Sequence, residues 1–289
     1  MTRPPRTLVL PPRLTASART LRATALRRGL RIVEVPASAV AENPTVAGTG
    51  TGARTGGGGG DGAGGAGGTG GGKGDGDGTG GPAVHLHAGP SFADAVAPAL
   101  GIGLLEAPAD WLARLPRALT RREVRAVPIG EAHRLRRPAF VKSPNDKSIP
   151  ALVYADGSRL PGPDAVDPAA VVLVSDVMTF AAEYRLHLLD GAVHTAGQYA
   201  EAGRLRTGPA HGDALAFGRD VLATAGDTLP SAIVVDVGRD HEGRWAVIEA
   251  NADWGSGCYA ADPDRALDTV LRAAGPLAAL SPYDRGFLR

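Results

Sequence analysis

Ile233-Val-Val-Asp236-Val-Gly-Arg-Asp-His-Glu-Gly-Arg-Trp245-Ala-Val-Ile-Glu249-Ala-Asn251 is the stretch on which the reading of this chain turns. Two apolar runs, Ser231–Val237 and Trp245–Ala250, flank the turn residues Asp240–Gly243, the pattern of an antiparallel hairpin. Pairing those strands brings Asp236 beside Glu249 and Asn251. Glu249 and Asn251 stand at i and i+2, so they share one side of their strand. Two carboxylates and a carboxamide, from one of the chain's three Asn, make an oxygen-rich sheet face. That set suits a hard cation that keeps water and phosphate as its other ligands, namely Mg²⁺. The alternative is a merely solvated sheet face, and the flanking sequence bears on the choice.

Strand-like runs precede this hairpin at Ala139–Lys142, Ala151–Tyr154, Val171–Val174 and Glu183–Leu189. Asp190-Gly191 reads as a tight turn into Ala192–Ala196, and Gly212–Ala225 as a helix. The tail Asp264–Ala274 has the spacing of an amphipathic helix. At the other end, strand Thr7–Leu10, helix Ala16–Arg28 stopped by Gly29, and strand Leu30–Val35 make a βαβ-like start. Ala83–His87 is a further strand. Gly89-Pro-Ser91-Phe then opens a helix Ala93–Leu100, and another helix lies around Asp110–Leu115. The expected class is α+β, with an N-terminal α/β unit at 1–130 and a second unit at 131–289. Gly48–Gly81 holds 21 of the 41 glycines and reads as a disordered linker spanning roughly 30 Å. Its Gly67-to-Lys73 mimic of a phosphate loop lacks the Ser or Thr that should follow, and Asp75 and Asp77 form only one unit of a calcium-type repeat.

Charge excludes several classes. With 31 basic and 30 acidic residues the net charge is +1, which supplies no field for nucleic acid or an anionic membrane. No apolar run approaches the roughly 18–20 residues of a membrane span; the best, Ala95–Leu105, contains Pro98. The first 33 residues carry eight Arg and no acid, faintly like a transit peptide, but they have no apolar core segment and read as mature structure. The single Cys258 excludes an internal disulfide and suggests a reducing, cytoplasmic location. Gly255-Ser256-Gly257 lacks the spacing of a nucleophile elbow, so hydrolase chemistry drops out. His85 and His87 share a strand face, but two ligands do not make a metal site, and a substrate or structural role is favoured. Gly89 and Ser91 sit where a strand feeds a helix, offering free N–H groups to an anionic substrate group. The chain has only three Lys, yet Lys142 and Lys147 lie within six residues. Lys is a compact point charge suited to one phosphate oxygen, where Arg is a planar fork.

The order Lys142, Lys147, Asp176-Val177, Glu183, Arg185, Asp236, Glu249-Ala-Asn251 resembles the ATP-grasp family in its RimK-like branch of carboxylate–amine ligases. The resemblance spans about Pro138–Pro263, with Ala83–Val127 similar to the substrate domain that usually precedes the grasp. It implies an ATP-grasp fold, two α+β subdomains clasping ATP, behind a small pre-ATP-grasp domain. It further implies that Lys142 and Lys147 hold the α- and β-phosphates, Lys147 from a flexible closing loop. Asp176 and Val177 would line the adenine hinge, Glu183 would bind the ribose, and Arg185 would neutralise the transferring phosphoryl group. Asp236, Glu249 and Asn251 would carry two Mg²⁺, with Glu249 bridging. Trp254, Gly255, Ser256 and Gly257 would face the acceptor or the acyl oxygen. Arg185, Lys147 and Glu249 are thus the expected catalytic set. Ser143 after the first lysine and Pro150 after Ile149 depart from the family pattern, the latter implying a stiffer loop. The implied reaction joins a carboxylate to an amine, from amino acids or peptides, through an acyl-phosphate with release of ADP and phosphate. Kinase-like phosphotransfer and a non-catalytic nucleotide-binding module are the competing readings.

Overall fold

A computed structural model describes residues 6–35, 83–146 and 148–289; the expected linker Gly48–Gly81 and Lys147 lie outside the described residues. β1 (Thr7–Leu10), α1 (Ala16–Arg27), β2 (Arg31–Glu34) and β3 (Val84–Leu86) build a parallel sheet in the order β2-β1-β3. α1 begins where the Thr15 hydroxyl accepts the Ala18 N–H at 3.1 Å, and it ends at Gly29, whose φ of +74° few other residues tolerate. After β3 come α2 (Pro90–Val96), β4 (Ile102–Leu104) and two single-turn helices, α3 (Trp111–Arg114) and α4 (Arg117–Thr120).

Two antiparallel sheets follow. β5 (Val124–Pro128), α5 (Ile129–Ala132), β6 (Ala139–Lys142), β7 (Leu152–Tyr154) and β8 (Val171–Ser175) give a four-stranded sheet ordered β5-β8-β6-β7. β5 lies before the expected boundary at 130, yet it pairs with β8 from Val124↔Ser175 to Pro128↔Val171 and so shares the sheet of Lys142. β9 (Ala182–Leu189), β10 (Ala192–Glu201), β11 (Arg204–Pro209), α6 (Gly212–Ala225), β12 (Ala232–Arg239) and β13 (Trp245–Asn251) form the second, with a five-stranded sheet ordered β11-β10-β9-β12-β13. Asp190-Gly191 turns with φ of 49° and 77°, as its sequence predicts for a hairpin. β10 runs on to Glu201, beyond the expected Ala196, and a second turn at Ala202-Gly203 adds β11, which was not expected. Alternation decides the two faces of this sheet. Tyr184, Leu186, Leu188, Ile233, Val235 and Val237 pack against Phe217 and Val221 of α6. The intervening Glu183, Arg185, His187 and Asp236 therefore share the opposite face. The result is the α+β ATP-grasp class anticipated above.

The chain then returns to its beginning. α7 (Pro263–Ala273) is capped by Asp262, which accepts the Asp264 and Arg265 N–H groups at 2.9 and 3.1 Å. Its apolar residues Leu267, Val270 and Leu271 join Leu8, Leu10, Leu21 and Ala25 in one core. Arg28 of the first βα unit pairs with Asp268 at 2.7 Å, and β14 (Ala274–Pro276) pairs with β4. The amphipathic C-terminal helix is thus spent inside the molecule. Among the described residues no helix is long and apolar enough to cross a membrane.

Candidate active site

A cleft of about 810 Å³ opens between the start of α1, the turn after β3, the loop after β6 and the end of β13. Lys142, Arg185, Glu249 and Asn251 line one wall, and Gly89, Gly255, Ser256 and Gly257 another. The register of the β12–β13 hairpin pairs Asp236 with Glu249, and the pairing shifts by a bulge between Asp236 and Val237. Bulges re-aim side chains beside functional sites. β9 lies on the other side of β12 and sets Arg185 opposite Asp236.

These side chains form one hydrogen-bonded row. Lys142 pairs with the Glu249 carboxylate. The Asn251 amide donates to Glu249 Oε1 at 2.7 Å and to Asp236 Oδ2 at 3.1 Å. Arg185 closes a two-pronged pair with Asp236, Nε to Oδ1 at 2.9 Å and Nη2 to Oδ2 at 2.7 Å. Its Nη1 donates to the Gly257 carbonyl at 3.3 Å. Burial pushes the Asp236 carboxyl above the usual range, and the guanidinium opposes that push. Burial acts on Glu249 in the same way, but Lys142 and Asn251 outweigh it and hold the carboxyl below its ordinary value. The Asp236 side chain shields Arg185 from below and does not line the cleft, whereas Glu249 and Asn251 do. Two carboxylates and a carboxamide are the donor chemistry a hard divalent cation takes, so these residues fit Mg²⁺, with Glu249 and Asn251 the accessible donors.

The row continues past Arg185. Tyr199 and Tyr259 stack with ring centres 5.2 Å apart, and the guanidinium carbon lies 5.7 and 5.1 Å from them. The Tyr199 hydroxyl donates to Glu183 Oε2 at 2.7 Å. Burial raises the Glu183 carboxyl, against the pull of that hydrogen bond. Neither tyrosine was singled out from sequence, although two of only five Tyr meet here. Each reaches Arg185 through a contact that no local pattern encodes.

Other expected residues lie apart. Asp176 and Val177 are exposed at the end of β8, outside the cleft lining. The Asp176 N–H is engaged by the Glu123 carbonyl at 3.2 Å and its carboxylate by the Glu123 N–H, which ties β8 to β5. Ser91 is exposed and absent from the cleft wall, while its neighbour Gly89 lines it. Trp254 borders the cleft but is fully buried, and its indole N–H donates to the Leu105 carbonyl at 3.0 Å, so the ring anchors the turn that presents Gly255–Gly257. Beneath that turn His187 Nδ1 meets both Asp253 oxygens at 3.1 and 3.2 Å. The loop after β6 is tied down: Asn145 donates to Glu106 Oε2 at 3.2 Å and to the Ala107 carbonyl at 2.9 Å, and Ile149 is buried beside Val127 and Val141. His85 Nδ1 meets the Leu271 carbonyl at 2.7 Å, a structural contact with α7.

Residues 119–269 match the profile of an ATP-grasp domain, the second family of its clade. No curated protein matches the chain in sequence. Among solved structures, D-cycloserine synthetase DcsG superposes with a TM-score of 0.50 at 14% identity, over 92% of this chain and 99% of that one. The ATP-grasp ligase PsnB, complexed with a precursor peptide and AMPPNP, gives a TM-score of 0.46 at 13% identity over 94% and 98% of the two chains. A RimK domain ATP-grasp protein from Sphaerobacter thermophilus gives 0.45 at 16% identity over 92% and 96%. At these identities the likeness is one of fold.

Proposed function

Because this chain belongs to the ATP-grasp domain family, we propose that it is an ATP- and Mg²⁺-dependent ligase joining a carboxylate to an amine. One observation carries the reading: the row Lys142–Glu249–Asn251–Asp236–Arg185 alternates cation and anion along a cleft wall. A substrate carboxylate and the γ-phosphate of ATP repel each other. The positive charges of Lys142, Lys147 and Arg185 offset that repulsion at the transferring group. When bound, Mg²⁺ neutralises phosphate charge and draws electron density from the phosphoryl oxygens. Glu249 and Asn251 would hold it, while Asp236 keeps Arg185 oriented. Glu183 takes the ribose hydroxyls, and Asp176 and Val177 border the adenine.

The carboxylate oxygen bonds to the γ-phosphorus as the bond to ADP breaks, giving an acyl-phosphate. The amine then attacks the acyl carbon, phosphate leaves, and one proton is lost as the amide forms. Gly89 and Gly255–Gly257 flank the substrates, and the anchored loop after β6 keeps water from the activated acid. The residues before about 130 supply the substrate wall of the cleft. The acid and amine are amino acids or peptides, and the reaction runs in the cytoplasm.

Incubating the protein with Mg-ATP, a pool of amino acids and short peptides, and hydroxylamine tests this. The expected products are ADP and a hydroxamate that depends on the pool. Glu249→Gln should lower both by on the order of 10²-fold or more. Near-wild-type ADP formation by that variant would sink the assignment, and ADP with a stable phosphorylated product and no hydroxamate would replace it with phosphotransfer.

A further inference from the structure

We propose that Tyr259, backed by Tyr199, is a positioning residue that holds the Arg185 guanidinium in register with Asp236 and facing the cleft. The inference rests on the reading of Arg185 as the cation of the phosphoryl end. Asp236 fixes two edges of the guanidinium plane from below, through Nε and Nη2, and the Gly257 carbonyl takes Nη1. A planar cation bound along its edges still exposes its faces. The two tyrosine rings lie within cation–π range of it, and they stack on each other with planes 24° apart.

The loop bearing Tyr259 is built to deliver that ring. Opposite Arg185 in the β9–β10 ladder stands Gly197. A Cβ there would come within 2.6 Å of the Ala261 nitrogen and 2.7 Å of the Ala260 carbonyl carbon, so only glycine lets this loop settle on the sheet at that point. One step along the same strand face, the Thr195 hydroxyl accepts the Asp262 N–H at 2.9 Å. The Ala261 N–H closes the turn onto the Cys258 carbonyl at 2.9 Å. Between these anchors Tyr259 is held at φ +46°, a left-handed backbone that a side-chain-bearing residue adopts only when its surroundings impose it. Tyr259 lines the cleft and is 39% exposed, so its ring touches Arg185 and remains open to a ligand. Tyr199 is anchored from behind by its hydroxyl bond to Glu183. The pair therefore links the expected ribose residue, the phosphoryl arginine and the turn Gly255–Gly257 in one mechanical unit.

Two readouts test the proposal, and only one depends on the reaction. In ¹⁵N-labelled protein the Arg185 Nε–H resonance, assigned by its loss in Arg185→Lys, should be ring-current shifted and protected from exchange. Tyr259→Phe should keep that signal and Tyr259→Leu should lose it. An unmoved signal in Tyr259→Leu overturns the proposal whatever the activity. In turnover, Tyr259→Leu should lose at least tenfold in kcat with the KM for ATP within twofold, while Tyr259→Phe stays within threefold of wild type. Equal losses in the Phe and Leu variants would reduce the ring to a packing element and overturn the proposal. If Tyr259→Leu does not fold, Tyr199→Leu against Tyr199→Phe makes the same comparison. A wild-type protein that forms neither ADP nor hydroxamate would count against the ligase reading, and the resonance would still decide the role of Tyr259.

Discussion

Burial depresses the His87 imidazole from 6.5 to about 4, with the nearby Asp253 carboxylate only partly opposing. The folded chain therefore prefers neutral His87, and the unfolded chain takes up its proton near pH 6.5. Stability supplied by the neutral ring is complete above pH 6.5 and drains away as pH falls toward 4. From pH 7.5 to pH 5 the loss from this residue is about 2 kcal/mol. Urea titrations at the two pH values should show His87→Gln losing less than wild type over the interval, whatever its absolute stability. Identical losses would mean that His87 is not the titrating group. At this scale the hairpin residues were the most legible part of the site. Asp236, Glu249 and Asn251 are brought together by one short turn, and the period of two fixes their common side. Asp176 was not legible in the same way, because its partner Glu123 lies 53 residues away on β5.

The elements that read well are those whose ends are chemically marked. Asp190-Gly191 carries the residues a type I′ turn demands, and α7 announces itself with Asp262-Pro263. β11 escaped because its turn is Ala202-Gly203, and alanine at φ 47° is not a turn signal. Replacing it by the preferred residue should relieve the strain without adding freedom to the unfolded chain. Ala202→Asn should stabilise by about 0.5–1 kcal/mol, raising Tm by roughly 1–4 °C, readable in a thermal melt. No upward shift would show that the turn stores no strain. β4 and β14 escaped for another reason. Ile102–Leu104 and Ala274–Pro276 are three-residue strands that contain Gly103 or Gly275 and exist only because they meet each other across the chain.

Over the whole molecule, the first βα unit and the C-terminal helix are halves of one core. Leu267 of α7 is fully buried against β1 and α1. Leu267→Ala should cost about 2–5 kcal/mol in a urea titration. Amide exchange should then quicken in α1 together with α7, because neither helix has another apolar surface to rest on. Quickening confined to α7 would mean that the N-terminal unit stands without it. Sequence reading found both helices and left open whether α7 packs inward or pairs subunits, since an apolar stripe does not name its partner. That arrangement also orders events at the ribosome. β1, α1 and β2 are synthesised first, yet the surface that completes their core begins at residue 263, 229 residues after Glu34. At bacterial elongation rates this is a wait on the order of 10–50 s, with Leu8, Leu10 and Leu21 uncovered throughout. The nascent chain therefore spends most of its synthesis as a client for holding chaperones. It closes the cleft only when the α7 stretch has left the exit tunnel.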